Sequence, residues 1–170
     1  VDSGDGGTGA APMPLMDYVG LTVRESLPLV VDILTAKGLN ERIRVVASGK
    51  MVTASGVAWA LAVGADAVVS ARGFMFSIGC IQALKCHKNT CPTGVTTHRK
   101  SLQRGLVPRE KAVKAADYAR ALIDDVETIA HSCGVAEPRA LKRKHVRIVQ
   151  ADGETVSLEA LMPYPATGAG

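Results

Sequence analysis

Aromatic side chains are scarce in this chain, at 4% of its 170 residues, and no long hydrophobic run is present. A membrane-spanning helix needs roughly 18 consecutive apolar residues, so a helical span is excluded. Few aromatics and the absence of any RNA- or DNA-binding motif argue against a nucleic-acid partner. No signal peptide precedes the first residues, and no G-x-G-x-x-G follows a strand, which disfavours a Rossmann dinucleotide site. An initiator methionine is also absent: the chain opens Val1-Asp2-Ser3, then Gly4, Asp5, Gly6, Gly7, Thr8 and Gly9. This reads as the end of a strand entering a glycine-rich loop. A strand with nothing before it to pair with implies missing structure upstream.

Hydrophobic residues make up 47% of the chain, enough for one buried core. They are mostly Ala, Val, Leu and Ile, which favours helices packed on a buried parallel sheet. The net charge of +4 is concentrated in two clusters: Arg139, Lys142, Arg143, Lys144, His145 and Arg147, and Arg99, Lys100, Arg104, Arg109, Lys111 and Lys114. Both read as solvated faces. The four cysteines have clustered spacing, pointing to a reducing compartment, the cytoplasm.

The punctuation gives the elements. Leu27, Val30, Val31 and Leu34 define one helix, capped by Gly38. Its start is open: Thr22 and Glu25 form a capping box, yet that places Pro28 inside the helix, whereas a start at Ser26 places Pro28 in the first turn. Residues 43–47 form a β-branched run of strand length. A helix over residues 54–63 turns Val57, Ala60 and Leu61 inward and ends at Gly64. Residues 65–70 make the next strand. Strand, helix, strand with short loops is a βαβ unit with parallel strands. The stretch from Phe74 to Leu84 reads as helical. A later helix starts near Pro108, with Val113, Ala116, Ala119, Leu122, Ile123, Val126 and Ile129 inward, and ends at Gly134. Cys133 reads as a packing residue. Asp152-Gly153 joins a small hairpin, and the tail over residues 163–170 reads as mobile.

Two patterns carry chemistry. The first is Cys80, Cys86 and Cys91, spaced C-x5-C-x4-C and followed by Pro92. Soft thiolates this close commonly share a metal centre, and a Cys-Pro step closes the common bacterial iron–sulfur run. Three thiolates suit a three-iron cluster better than zinc, which wants four ligands. A zinc site completed by His87 or His98, or buried thiols with one disulfide, remain alternatives. The second pattern is a pair of loops after consecutive strands: Ser48, Gly49 and Lys50, then Ala71, Arg72 and Gly73. In (β/α)8 barrels such loops commonly hold a phosphate, at helix N-termini. Lys50 and Arg72 offer charge. The competing reading is that the glycines merely permit tight turns and the two cations face water.

These residues, in this order, resemble the FMN-binding domain of glutamate synthase. The resemblance rests on Asp5-Gly6-Gly7-Thr8-Gly9-Ala10, Gly64-Ala65-Asp66, Ser70-Ala71-Arg72-Gly73-Phe74-Met75, and Gly79-Cys80 through Cys91-Pro92-Thr93-Gly94-Val95. It covers roughly residues 1–100. The remainder resembles the C-terminal extension of the stand-alone, FMN-binding glutamate-synthase-like proteins. It implies an α/β fold, the C-terminal portion of a TIM barrel with about two and a half βα units. Residues 1–107 would form that part and residues 108–170 the extension. It implies FMN, with Ser48, Gly49 and Lys50 in the first phosphate loop and Ala71, Arg72 and Gly73 in the second. Gly6, Gly7 and Thr8 match the loop near flavin and substrate. It implies a [3Fe-4S] cluster on Cys80, Cys86 and Cys91. The implied reaction reduces 2-iminoglutarate, formed from 2-oxoglutarate and ammonia or glutamine-derived ammonia, to L-glutamate. Electrons would come from an NAD(P)H-linked subunit or ferredoxin.

The departures are specific. The family's first loop usually reads Asp-Gly-Gly, unlike Ser48 and Lys50; its second is often Gly-Thr-Ala, and Arg72 points to the smaller subgroup. The family's catalytic lysine and acidic residue lie upstream of the glycine loop where this chain begins. The chain is thus expected to be a fragment, inactive alone, with open sheet edges and exposed apolar faces. Two other readings stay open: a barrel dehydrogenase using FMN on another keto acid or imine, and a cluster-only electron-transfer module.

Overall fold

The computed structural model describes residues 1–4, 11–17 and 19–166. In chain order the elements are α1 (Val23–Ala36), β1 (Val46–Ser48), α2 (Ala54–Val63), β2 (Ala67–Val69), α3 (Ala71–Ser77), α4 (Lys100–Gln103), α5 (Pro108–Ser132), β3 (Arg147–Val149), β4 (Thr155–Ser157) and α6 (Leu158–Leu161). The fold is mixed α/β. The loop with Gly6, Gly7 and Thr8 and the last four residues lie outside the described residues.

The β-branched run extends only as β1, which pairs in parallel with β2, Val46 opposite Ala67 and Ser48 opposite Val69. On its other side β1 meets the opening residues through a parallel bridge between Asp2 and Ser48. Ser3 N–H donates to the Ser48 carbonyl at 3.1 Å, and Ser48 N–H to the Val1 carbonyl at 2.8 Å. The expected order of three parallel segments, with β1 in the middle, is therefore present. Both strands are shorter than the sequence pattern predicts. Val46 and Val69 are 44% and 48% exposed, so their outward faces lack the helical cover that a parallel sheet normally has.

The capping-box start of α1 prevails over the start at Ser26. Glu25 Oε2 accepts from Thr22 N–H and from Thr22 Oγ1, both at 2.8 Å. Pro28 then lies within the helix. Satisfying the Thr22 amide and tying down the first turn outweighs the one backbone bond that Pro28 removes. The helix buries Val23, Leu27 and Val31 against Val45, Ala47, Met51, Trp59 and Val63. Leu27 is fully buried, and its truncation to Ala costs about 2–5 kcal/mol.

Helix α2 has the expected bounds, with Thr53 Oγ1 accepting from Gly56 N–H at 3.4 Å. Its inward set differs: Ala58, Trp59, Ala60, Ala62 and Val63 are buried, while Val57 and Leu61 are only half-buried. An Ala-rich helix clasped by α1 on one side and by α5 on the other buries most of its circumference. Helix α5 begins on Pro108 as expected. Val126 and Ala130 are its buried residues, and Val113 and Ile123 are more than half exposed. Ile123 opens onto a cavity of about 580 Å³ between α5 and β2, which it lines with Val68, Phe74 and Val126. Cys133 packs, half-buried, on the cluster of Ala58, Ala62, Ala130 and Leu141.

The hairpin forms where Asp152 and Gly153 predict it: β3 and β4 are antiparallel, Arg147 opposite Ser157. One expectation for the C-terminal region does not hold. Arg143, read as part of a solvated basic face, is fully buried. Its guanidinium pairs with Asp32 on α1 at 2.5 Å and donates to the Met162 carbonyl at 2.9 Å. It also lies 4.5 Å from the centre of the Tyr164 ring, and Arg143 N–H donates to the Tyr164 hydroxyl at 3.3 Å. Arg143 thus ties the extension to α1 through Asp32 and contacts Tyr164 by a hydrogen bond and a cation–π contact.

Candidate functional site

The stretch from Phe74 to Leu84 is not one helix. Helix α3 stops at Ser77, and Gly79 (φ 106) turns the chain in the left-handed region that glycine tolerates. Gly79 N–H donates to the Phe76 carbonyl and Cys80 N–H to the Met75 carbonyl, both at 2.9 Å. This paired closure is a Schellman motif. It fixes Cys80 immediately beyond the helix end. Gln82 and Leu84 also have positive φ, so the chain winds irregularly to Cys86, which opens a single 3-10 turn ending at Lys88.

A hydrogen-bonded loop then carries Cys91. Asn89, in the left-handed region, accepts from Thr97 Oγ1 at its carbonyl, 2.7 Å, and from His98 N–H at Oδ1, 2.7 Å. Gln103 Nε2 donates to the Thr97 carbonyl at 2.7 Å. Burial pushes the Cys91 thiol up, but hydrogen bonds from the Thr93 hydroxyl and from the Thr96 and Thr93 segment outweigh it, lowering it to about 6. The Thr93 hydroxyl lies at hydrogen-bonding distance, 3.4 Å from the sulfur, and the Thr96 hydroxyl has no well-formed bond. The lowering favours the thiolate, the form that binds metals.

Cys80, Cys86 and Cys91 line one cavity of about 310 Å³, together with Arg72, Met75 and Asp17. All four cysteines are free, so the disulfide alternative is not realised. Neither His87 nor His98 joins the thiols in a zinc-like set: among the described residues no group of three His, Cys, Asp or Glu side chains is gathered to hold one ion. The three thiols share a wall without converging on a point.

The two strand ends stand side by side, because β1 and β2 are neighbours in register; the second is not the expected loop, since Ala71, Arg72 and Gly73 form the first turn of α3. Gly49 (φ 139) is buried, and a Cβ there would overlap Ser3 Oγ and lie 2.8 Å from Ser3 Cβ. Lys50 (φ 52) turns its ammonium to Asp17 Oδ1 at 2.6 Å. That hydrogen bond chiefly holds the Asp17 carboxyl below 3.8, against burial and with help from the charges of Lys50 and Arg72. Lys50 is thus engaged by a carboxylate while it remains exposed. Arg72 faces the cysteine cavity. Gly73 is buried against helix α5, where a Cβ would overlap Tyr118 Oη.

Sequence reasoning missed Asp17, Tyr118 and the threonines around Cys91. Asp17 has no motif of its own. Tyr118 lies one residue off the apolar stripe of α5, and its isolation as a tyrosine among alanines was the available signal.

Comparison with known proteins bears on all of this. Residues 1–136 match the family model described as the conserved region in glutamate synthase. The match runs past residue 107 and through α5, further than the motifs alone reach. The chain is 40% identical over 162 residues, 95% of its length, to the glutamate synthase large subunit-like protein YerD of Bacillus subtilis, covering 31% of that protein. It is 30% identical over 148 residues, 87% of its length, to the archaeal glutamate synthase [NADPH] of Methanocaldococcus jannaschii, covering 29% of it. It is 31% identical over 135 residues, 79% of its length, to the glutamate synthase [NADPH] large chain of Azospirillum brasilense, covering 9% of it. The chain therefore spans less than a third of the length of each of these relatives, and it belongs to the glutamate synthase family.

Proposed function

We propose that this chain is the C-terminal part of the FMN-binding barrel, with its extension, of an enzyme that makes L-glutamate from 2-oxoglutarate and ammonia or glutamine-derived ammonia. The observation that carries the reading is the shared cavity: Arg72, from the first turn of α3, lines the same space as Cys80, Cys86 and Cys91. A phosphate-binding loop and a thiolate set that open onto one cavity are what a flavin beside a metal cluster requires. The parallel order of the opening segment, β1 and β2 agrees with consecutive barrel strands.

Bound FMN would supply hydride chemistry for reducing 2-iminoglutarate to L-glutamate, and a [3Fe-4S] cluster would supply one-electron transfer from an NAD(P)H-linked subunit or ferredoxin. The residues here do the holding. The loop at Ser48, Gly49 and Lys50 and the helix turn at Ala71, Arg72 and Gly73 would hold the FMN phosphate, with Arg72 as the cation turned into the cavity. Asp17 fixes the Lys50 ammonium and lies within electrostatic reach of Arg72, so it sets the charge balance at the loops. Cys80, Cys86 and Cys91, which line that cavity, would hold the cluster. The Gly6, Gly7 and Thr8 loop would face flavin and substrate.

The whole protein, purified without oxygen, should carry FMN and form L-glutamate from 2-oxoglutarate and ammonium with a chemical reductant. Reduction of other keto acids or imines but not this one would assign it to a different barrel dehydrogenase. Iron and sulfide without flavin would make it an electron-transfer module.

A further inference from the structure

Helix α5 lies beyond the two strand–loop–helix units, yet one of its side chains reaches the ends of both. The Tyr118 hydroxyl is 2.9 Å from Ser70 Oγ and 2.9 Å from the Val52 carbonyl oxygen. A phenol has one proton to give, and a carbonyl can only accept. Tyr118 therefore donates to Val52 and accepts from Ser70. Ser70 is buried directly before Ala71. Val52 N–H donates to the Lys50 carbonyl at 2.9 Å, so fixing Val52 fixes Lys50. The Tyr118 ring is itself held edge-on by Phe74, with centroids 5.1 Å apart. Gly73 supplies the room for this approach, since a Cβ there would overlap the hydroxyl.

We infer that Tyr118 is a positioning residue. Its hydroxyl sets the spacing between the loop of Gly49 and Lys50 and the first turn of α3 at Ala71 and Arg72, and through that spacing the affinity of the pair for a phosphate-bearing flavin. This rests on the phosphate-loop reading given above. It adds a role for the helix that follows the cysteine loop: a clamp on the ends of two successive strands. A hydroxyl that makes both its bonds across elements leaves two partners unpaired when it is deleted.

The test is titration of the whole apoprotein with FMN and with riboflavin, read by flavin fluorescence, for wild type, Tyr118→Phe and Ser70→Ala. Tyr118→Phe keeps the ring and its packing on Phe74. It should weaken FMN binding about tenfold and riboflavin binding by less than about twofold, as expected for losing two ordinary hydrogen bonds that act on the phosphate end. Ser70→Ala removes one of the two bonds and should give a smaller, still phosphate-specific loss. If Tyr118→Phe fails to fold in a thermal melt, the Ser70→Ala comparison decides alone. Unchanged FMN affinity in a folded variant, with wild type preferring FMN over riboflavin, overturns the role of Tyr118. Equal losses for both flavins also overturn it, since they mark general loosening. A wild type that binds both flavins equally overturns the phosphate-loop reading itself, and the inference with it.

Discussion

Asp32 on α1 and Arg143 in the C-terminal extension are 111 positions apart in the chain and form a bidentate ion pair at 2.5 and 3.4 Å. The arginine is fully buried, while the aspartate side chain is 31% exposed. A buried guanidinium is stable only while its donors are matched. Here the carboxylate and the Met162 carbonyl take hydrogen bonds from the two terminal nitrogens and the Tyr164 ring lies against the guanidinium, while Nε has no hydrogen-bond partner among the described residues.

Removing one partner should therefore be far worse than removing both. Asp32→Asn is expected to destabilise the protein by about 3 kcal/mol, because a buried charge is left uncompensated. Asp32→Leu combined with Arg143→Met should recover a large part of that loss. Chemical denaturation of the single and double variants measures the coupling; additive effects would show that the pair is not coupled.

Asp66 gives a pH signature. Burial pushes its carboxyl up, but the hydrogen bond from Val45 N–H, the Arg44 guanidinium and the charge of Arg139 outweigh it and hold the group below 3.8. A depressed folded-state value means the stabilisation is fully present above the unfolded value and is lost as pH falls through the folded one. Asp66→Asn should cost about 1 kcal/mol at pH 7. The gap between wild type and variant should close as the pH drops below about 3.8, the ordinary value. A gap that is constant down to pH 3 would contradict the assignment.

Gly73 and Gly49 are predicted to resist even alanine, for different reasons. At Gly73 a methyl would overlap Tyr118 Oη and come within 2.5 Å of Tyr118 Cζ. At Gly49 it would crowd Ser3 and also demand φ 139 of a residue with a side chain. Each substitution should lower stability by about 1–3 kcal/mol. Gly153→Ala, on the open hairpin turn with no atom within 4 Å of the new methyl, also has a positive φ and isolates the backbone contribution. Thermal melts of the three variants compare them; Gly73→Ala melting like wild type would show that α5 yields easily.

Much of this was legible in the sequence, and the exceptions have a common cause. Helix α2 could be read to the residue because Thr53 and Gly64 mark its ends locally. The parallel order of β1 and β2 followed from the short connection through a helix. The burial of Arg143 was not legible, because its partners Asp32 and Tyr164 come from distant parts of the chain and a basic run looks solvated from within. The helical reading of residues 74–84 failed at Gly79, where a local turn signal competed with a long apolar stretch and won. The cysteines could be named from spacing alone. The route by which α5 reaches the loops could not, since it depends on one hydroxyl placed by tertiary packing.

Single Cys→Ser changes should separate the cysteines into two groups. Cys80, Cys86 and Cys91 share the cavity, whereas Cys133 packs at the end of α5. Loss of visible iron–sulfur absorbance is expected for each of the first three and not for Cys133→Ser. Retained absorbance in Cys86→Ser would break the three-thiolate set.

The central claim is that the cavity lined by these three thiols holds an iron–sulfur cluster next to the flavin loops. Iron and acid-labile sulfide, measured on the whole protein purified without oxygen, test it most directly. The account predicts about three irons per chain, with sulfide in similar amount. One tightly held zinc without sulfide, or thiols that all titrate freely with no metal bound, would contradict it.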